Sequence, residues 1–147
     1  MSVRLTEAPF DPGAELTAFT AGRTETGAVA TFTGIARAEA GATAILELEA
    51  YPGFTEAEIG KIAQQARARW DLHDLMILHR VGQIAPGEPI VFVATAASHR
   101  RAAFEACDFL MDYLKSRAPF WKKEHGPDGR RWIEPTAQDH ADRDRWD

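Results

Sequence analysis

From Ala96 to Glu124 the chain reads AASHRRAAFEACDFLMDYLKSRAPFWKKE, and no other stretch restricts the fold as much. Apolar residues recur at Ala103, Ala106, Cys107, Leu110, Met111 and Leu114. Steps of three and four residues put all six on one stripe of an α-helix, which has to be buried. Pro119 disfavours helical dihedrals at Ala118, so the helix is expected to stop near Lys115 to Arg117. Ser98 is the expected N-cap. Just upstream, Pro89 to Ala97 holds the unbroken apolar run Ile90-Val91-Phe92-Val93, as expected of a strand in the centre of a sheet. A central strand therefore feeds through Ser98-His99-Arg100 straight into an amphipathic helix. The cations of the stretch collect at the helix ends. His99 and Arg100 stand at the positive end of its dipole, Lys115 at the other end, and Lys122 follows the proline turn.

The remaining elements follow from the same periodicities. Val3 to Ala8 reads as a short strand, and Ala14 to Ala21 as a short helix with Leu16 and Phe19 facing inward. Gly27 to Ile35 and Ala44 to Tyr51 alternate like strands, separated by a loop at Ala38 to Ala42. Thr55-Glu56-Ala57-Glu58 reads as a capping box. The helix behind it buries Ile59, Ile62, Ala63, Ala66 and Trp70. Leu75 to Val81 is a strand, and Pro86-Gly87 a turn. Phe120 to Glu124 pairs with Arg131 to Glu134 around Gly126-Pro127-Asp128-Gly129. From about Thr136 the tail is polar and expected to fray. Strands and helices mix without strict alternation, which predicts an α+β fold with a largely antiparallel sheet in one domain, residues 1–147.

Composition narrows the function. A net charge of −5 makes general nucleic-acid binding a poor fit, so the basic stretch is a local site on an acidic body. The single cysteine rules out an internal disulfide and a thiolate metal cage. No apolar run reaches the ~20 residues of a membrane span, and MSVRLTEAPF lacks the apolar core of a signal peptide, so a cytoplasmic protein is expected. His73 and His79 have poor spacing for a metal. Cys107 lies on the apolar stripe and reads as a core residue, and Glu47 and Glu49 share the solvated face of a strand.

The cations are distributed differently from a solvated charge run. Arg37 follows a strand, His99 and Arg100 mark a strand-to-helix junction, Lys115 ends a helix, and Lys122 lies in the next strand. Sites are built at such element ends. If they converge they form a pocket for a small anion; scattered surface charge is the other reading. Lysines crowded by cations have depressed pKa values and become usable as acid, base or nucleophile. Lys115, close in sequence to Arg117 and Lys122, is the expected example.

Several segments together resemble the MoaE family, the large catalytic subunit of molybdopterin synthase. They are Phe32-Thr33-Gly34-x-x-Arg37, Glu49-x-Tyr51-Pro52-Gly53, His79-Arg80-Val81-Gly82, Pro86-Gly87-x-x-Ile90-Val91-Phe92-Val93, Ser98-His99-Arg100, and the long block from Met111 to Glu124. The similarity runs from about Gly27 to Glu134. It implies an α/β-hammerhead fold and a homodimer. It also implies a MoaD-like, ubiquitin-fold sulfur carrier whose C-terminal Gly-Gly thiocarboxylate enters the site, the whole forming a heterotetramer. The implied reaction puts two sulfurs onto cyclic pyranopterin monophosphate, giving the dithiolene of molybdopterin. The family's catalytic lysines fall on Lys115 and Lys122. Its substrate contacts fall on Ile35, Ala36, Arg37, His99, Arg100, Lys115, Lys122, Lys123 and Glu124. No cofactor and no metal are implied. Two departures stand out. Ile35 stands where the family often has lysine, and Pro135-Thr136 follow where some members carry an arginine; Arg130 and Arg131 are the nearby alternatives. A non-catalytic anion-binding dimer that docks a protein tail is the competing reading, and the survival of both lysines speaks against it.

Overall fold

A computed structural model describes residues 1–38, 45–126 and 129–147, with the backbone alone at 126 and 129–133. The expected loop at Ala38 to Ala42 and the turn at Gly126 to Gly129 include residues 39–42 and 127–128, which lie outside the described residues. So do the side chains of Arg130 and Arg131.

The described residues form two four-stranded sheets. The first has the order β1-β4-β6-β2, from β1 (Ser2–Thr6), β4 (Leu72–Arg80), β6 (Pro89–Ala97) and β2 (Ala28–Ile35). Only the β1–β4 pair is parallel. The unbroken apolar run places β6 between β4 and β2, because only a strand covered on both faces can bury Val91, Phe92, Val93, Ala94, Thr95, Ala96 and Ala97 together. The second sheet has the order β5-β3-β7-β8, all antiparallel, from β5 (Gly82–Ile84), β3 (Ile45–Ala50), β7 (Phe120–Gly126) and β8 (Gly129–Ile133). β5, three residues long, carries too little pattern to be read from sequence.

Among the described residues four helices clothe the sheets. Helices α2 (Phe54–Arg69) and α3 (Arg100–Ser116) cover one face of the first sheet, where Ile59, Ile62, Ala63, Leu75, Ile77, Val93, Ala106 and Leu110 form the main core. Helix α1 (Pro12–Thr20) covers the other face through Phe19, packed with Met76, Leu78, Phe92 and Ala94. Leu16 does not face inward as expected; it is 36% exposed. Every residue of the predicted α3 stripe is buried. Phe109 and Tyr113 are buried as well, because a further helix packs on that flank.

That helix, α4 (Ala137–Asp144), replaces the expected frayed tail. Thr136 accepts from the Asp139 N–H at 3.1 Å, and Asp139 accepts from the Thr136 N–H at 2.9 Å, so both ends of a capping box are made. Beyond it Trp146 packs edge-on against Trp70 and Phe109, and its indole N–H donates to Asp112 at 2.6 Å. The polar composition of the tail concealed a single aromatic anchor. Among the described residues no helix is long and apolar enough to cross a membrane.

Two expected caps are also corrected. The Ser98 hydroxyl pairs with His73 Nε2 at 3.0 Å, and His73 Nδ1 with the Thr26 hydroxyl at 2.7 Å, so His99 becomes the N-cap, without a side-chain bond. Gly27 runs so close to this junction that a Cβ there would stand 2.1 Å from the Ser98 carbonyl oxygen. Thr55 lies inside α2 and does not cap it, because Gly53 precedes the helix and Phe54 begins it. The fully buried Thr55 hydroxyl accepts from the Tyr51 N–H at 2.8 Å and donates to the Pro119 carbonyl at 3.0 Å. It thereby ties the start of α2 to the turn between α3 and β7, and Glu58 pairs with Lys61 instead.

Candidate active site

The two sheets and the end of α3 enclose a cavity of about 400 Å³. β2 supplies Phe32, Thr33, Gly34 and Ile35; β3 supplies Leu46 and Leu48; α3 supplies Met111, Leu114 and Lys115. β4 adds His79, β6 adds Ile90 and Val91, and β7 adds Lys122. Gly34 belongs there because a Cβ would press to 2.7 Å from Val91 Cγ1. Lys122 reaches the cavity because side chains alternate along a strand. Residues 120, 122 and 124 share the inner face of β7, while Trp121 and Lys123 point outward, Lys123 pairing with Glu49 at 3.1 Å.

Lys115 and Lys122, expected catalytic residues seven positions apart, thus meet in one largely apolar chamber. Burial, with the Lys115 charge adding to it, pushes the Lys122 ammonium down to about 8, and the Asp139 carboxylate on α4 pulls the other way. The depressed ammonium of Lys122 follows from its depth among apolar groups.

The other expected substrate contacts divide. Ile35 lines the chamber. Ala36 is buried against Leu48 and Ile84 and is clamped by backbone bonds, its N–H to Glu88 O at 2.9 Å and its carbonyl accepting from the Gly87 N–H at 2.7 Å. Glu88 is itself held by Arg80, a 96% buried arginine that also donates to Gln83 O. This clamp fixes the end of β2, with Ile35 at the open edge of the chamber and Arg37 exposed just beyond. Glu124 shares the face of Lys122, whereas Lys123 is on the opposite face. His99 and Arg100 are not brought to the lysines. They are exposed at the start of α3, and Lys115 stands fifteen residues further on, about 22 Å along the axis at ~1.5 Å per residue.

His79 also lines the chamber, although neither its spacing from His73 nor its place in His79-Arg80-Val81-Gly82 marks it as a site residue. A histidine inside the apolar strand expected from Leu75 to Val81 has no meaning until the strand's neighbours are known.

Cys107 behaves as expected of a core residue. Burial, with Asp108 adding to it, pushes its thiol up to about 12, so it is protonated at neutral pH and unreactive. Cys107→Ala is expected to keep the activity that the family resemblance implies, at a packing cost of about 1–2 kcal/mol. A folded variant that has lost all transfer in a single-turnover assay would put Cys107 in the chemistry.

Comparison with known proteins gives a consistent result. The profile of the MoaE protein family matches residues 5–117. A molybdopterin synthase catalytic subunit from Caulobacter vibrioides is 71% identical over 147 residues, covering all of this chain and 98% of that protein. Among solved structures, a molybdopterin biosynthesis MoaE protein from Burkholderia ambifaria superposes with a TM-score of 0.85 at 48% identity, over 99% of this chain and 97% of the other. Molybdopterin synthase from Staphylococcus aureus gives 0.79 at 30% identity, over 88% and 94%. The expected mixed α+β, antiparallel-rich architecture is that of these neighbours.

Proposed function

This chain belongs to the MoaE family, and from that premise we propose that the Lys115–Lys122 chamber is where it carries out sulfur transfer. The protein is a molybdopterin synthase catalytic subunit, a sulfurtransferase of molybdenum cofactor biosynthesis, and it works in a multi-subunit assembly with a MoaD-like partner.

The observation that carries the site assignment is the meeting of two lysines in an apolar chamber lined by no thiol. A site of this kind has cationic groups but no sulfur to give, so the sulfur has to be delivered on another molecule, here the partner's C-terminal thiocarboxylate. Its sulfur bonds to a pterin carbon as a C–O bond at that carbon breaks, the oxygen leaving as water or with the phosphate; the bond from sulfur to the carrier's acyl carbon then breaks as water or a lysine amine attacks that carbon, freeing the carrier as its carboxylate or as an amide. With an ammonium near 8, roughly one Lys122 in ten is neutral at pH 7, enough to accept the nucleophile's proton or to attack the acyl carbon itself. The charged Lys115 stabilises the oxyanion that develops on the acyl oxygen. Ile35, on the chamber lining but 57% exposed, stands where the family often has lysine, so phosphate recognition is assigned to Arg37, two residues further on. His99 and Arg100 are too far from the lysines of their own chain to share a substrate with them. As substrate contacts they belong to a site completed by a second copy in the homodimer.

The test is to mix the protein with a thiocarboxylated MoaD-like carrier and the cyclic pterin. Dithiolene product is expected only when all three are present. A dimer that binds both ligands without forming product would instead be the anion-binding docking module.

A further inference from the structure

We infer that His79 is a positioning residue for Lys122: its Nε2 lone pair accepts a hydrogen bond from the Lys122 ammonium and fixes where that amine stands in the chamber. The inference rests on the reading that Lys122 acts there.

The geometry points to this in three steps. First, the His79 ring stacks on Phe120, with centroids 4.3 Å apart and planes at 24°. Phe120 and Lys122 lie two residues apart on the same face of β7, so the stack sets the imidazole beside the root of the lysine. Second, His79 Nδ1 lies 2.8 Å from the Arg80 carbonyl oxygen. A carbonyl only accepts, so Nδ1 carries the hydrogen, and in the neutral ring Nε2 is left as an acceptor. Third, the rest of the chamber offers few acceptors. Apart from the Thr33 hydroxyl, its lining side chains are ammonium donors or apolar groups, and the Asp139 carboxylate of α4 acts on Lys122 through its charge from outside that lining.

The ring also stays neutral. Burial pushes His79 down to about 4, and the charges of Lys122 from β7 and Lys115 from α3 act in the same direction, against the Arg80 carbonyl bond. Arg80, next on its own strand, is directed to Glu88 and Gln83. At neutral pH His79 therefore adds an acceptor to the chamber without adding a third positive charge. It is too weakly basic there to serve as the proton acceptor itself. A change of rotamer in the flexible Lys122 stem would bring its ammonium to the ring.

The experiment compares His79→Phe, which keeps the stack and removes Nε2, with His79→Gln, whose amide oxygen can replace the acceptor. The pH dependence of acetic anhydride labelling at Lys122, read by tandem mass spectrometry on the folded dimer, reports its titration without any sulfur chemistry. Losing the acceptor destabilises the ammonium, so His79→Phe is expected to move the Lys122 titration lower by about one pH unit. It is also expected to slow single-turnover transfer about tenfold or more. His79→Gln should restore most of both. An unchanged Lys122 titration in His79→Phe overturns the inference, whatever happens to the rate, and so does a Gln variant that behaves like Phe. Should His79→Phe fail to fold, the ¹⁵N resonance of His79 Nε2 in the wild type against Lys122→Met decides. A shift supports the contact, and coincident resonances exclude it. Full transfer activity in Lys122→Ala would remove Lys122 from the reaction, yet the labelling result would still stand or fall by itself.

Discussion

Lys115→Ala is expected to lower single-turnover sulfur transfer by about 10²–10³-fold or more, the usual cost of removing one group that stabilises a developing oxyanion. The assembly with the MoaD-like carrier should still form, because Lys115 is exposed at the end of α3 and packs no core. The change has a second signature. The Lys115 charge is one of the two causes that hold the Lys122 ammonium down, so its removal raises Lys122 toward the ordinary lysine range. Whatever activity remains should therefore rise with pH only at more alkaline values than in the wild type. Lys115→Arg should also be poor, since the planar fork of a guanidinium does not reproduce a point contact. Near-normal rates in Lys115→Arg would mean that the position supplies positive charge alone.

Replacement of Lys122 should separate activity from stability. Lys122→Arg keeps the charge but cannot release its proton, and is expected to cost about 10²–10⁴ in rate, the range of a lost acid–base group. Lys122→Met removes the same chemistry and should at the same time stabilise the protein. A lysine whose folded pKa falls from 10.5 to about 8 is charged at a loss in the folded state at neutral pH. In full that loss corresponds to about 3 kcal/mol; residual solvent access reduces the expected gain in Lys122→Met to about 1–2 kcal/mol. The sign fixes the pH dependence. Between about 8 and 10.5 the unfolded chain still holds a proton that the folded chain has released, so wild-type stability gains from this group as pH rises through that window. The Met variant lacks that gain, and the two stabilities should converge at high pH. Denaturant melts across the window check this. A Met variant no more stable than the wild type at pH 7 would show that Lys122 carries no such strain.

Local sequence determined much of this molecule. The alternation of Gly27 to Ile35, the unbroken apolar run of β6 and the three-four spacing of α3 are properties of short windows, and each element formed where its period placed it. Pro119 ended α3 as steric exclusion requires. The block from Met111 to Glu124 was unusual enough to identify the family and to single out Lys115 and Lys122. Tertiary structure decided the rest, because the deciding partners are far away in sequence. Ser98 lost its capping role to a hydroxyl–imidazole chain from Thr26 and His73, and Thr55 was drawn to Pro119, 64 residues on. A polar tail became a helix because Trp146 found Trp70 and Phe109. The cations that clustered in sequence parted in space, since a rigid helix holds Arg100 and Lys115 at opposite ends. His79, unremarkable within its own strand, entered the chamber through its stack on Phe120. Periodicity is written into neighbouring residues, but a pocket exists only where distant segments exclude water together.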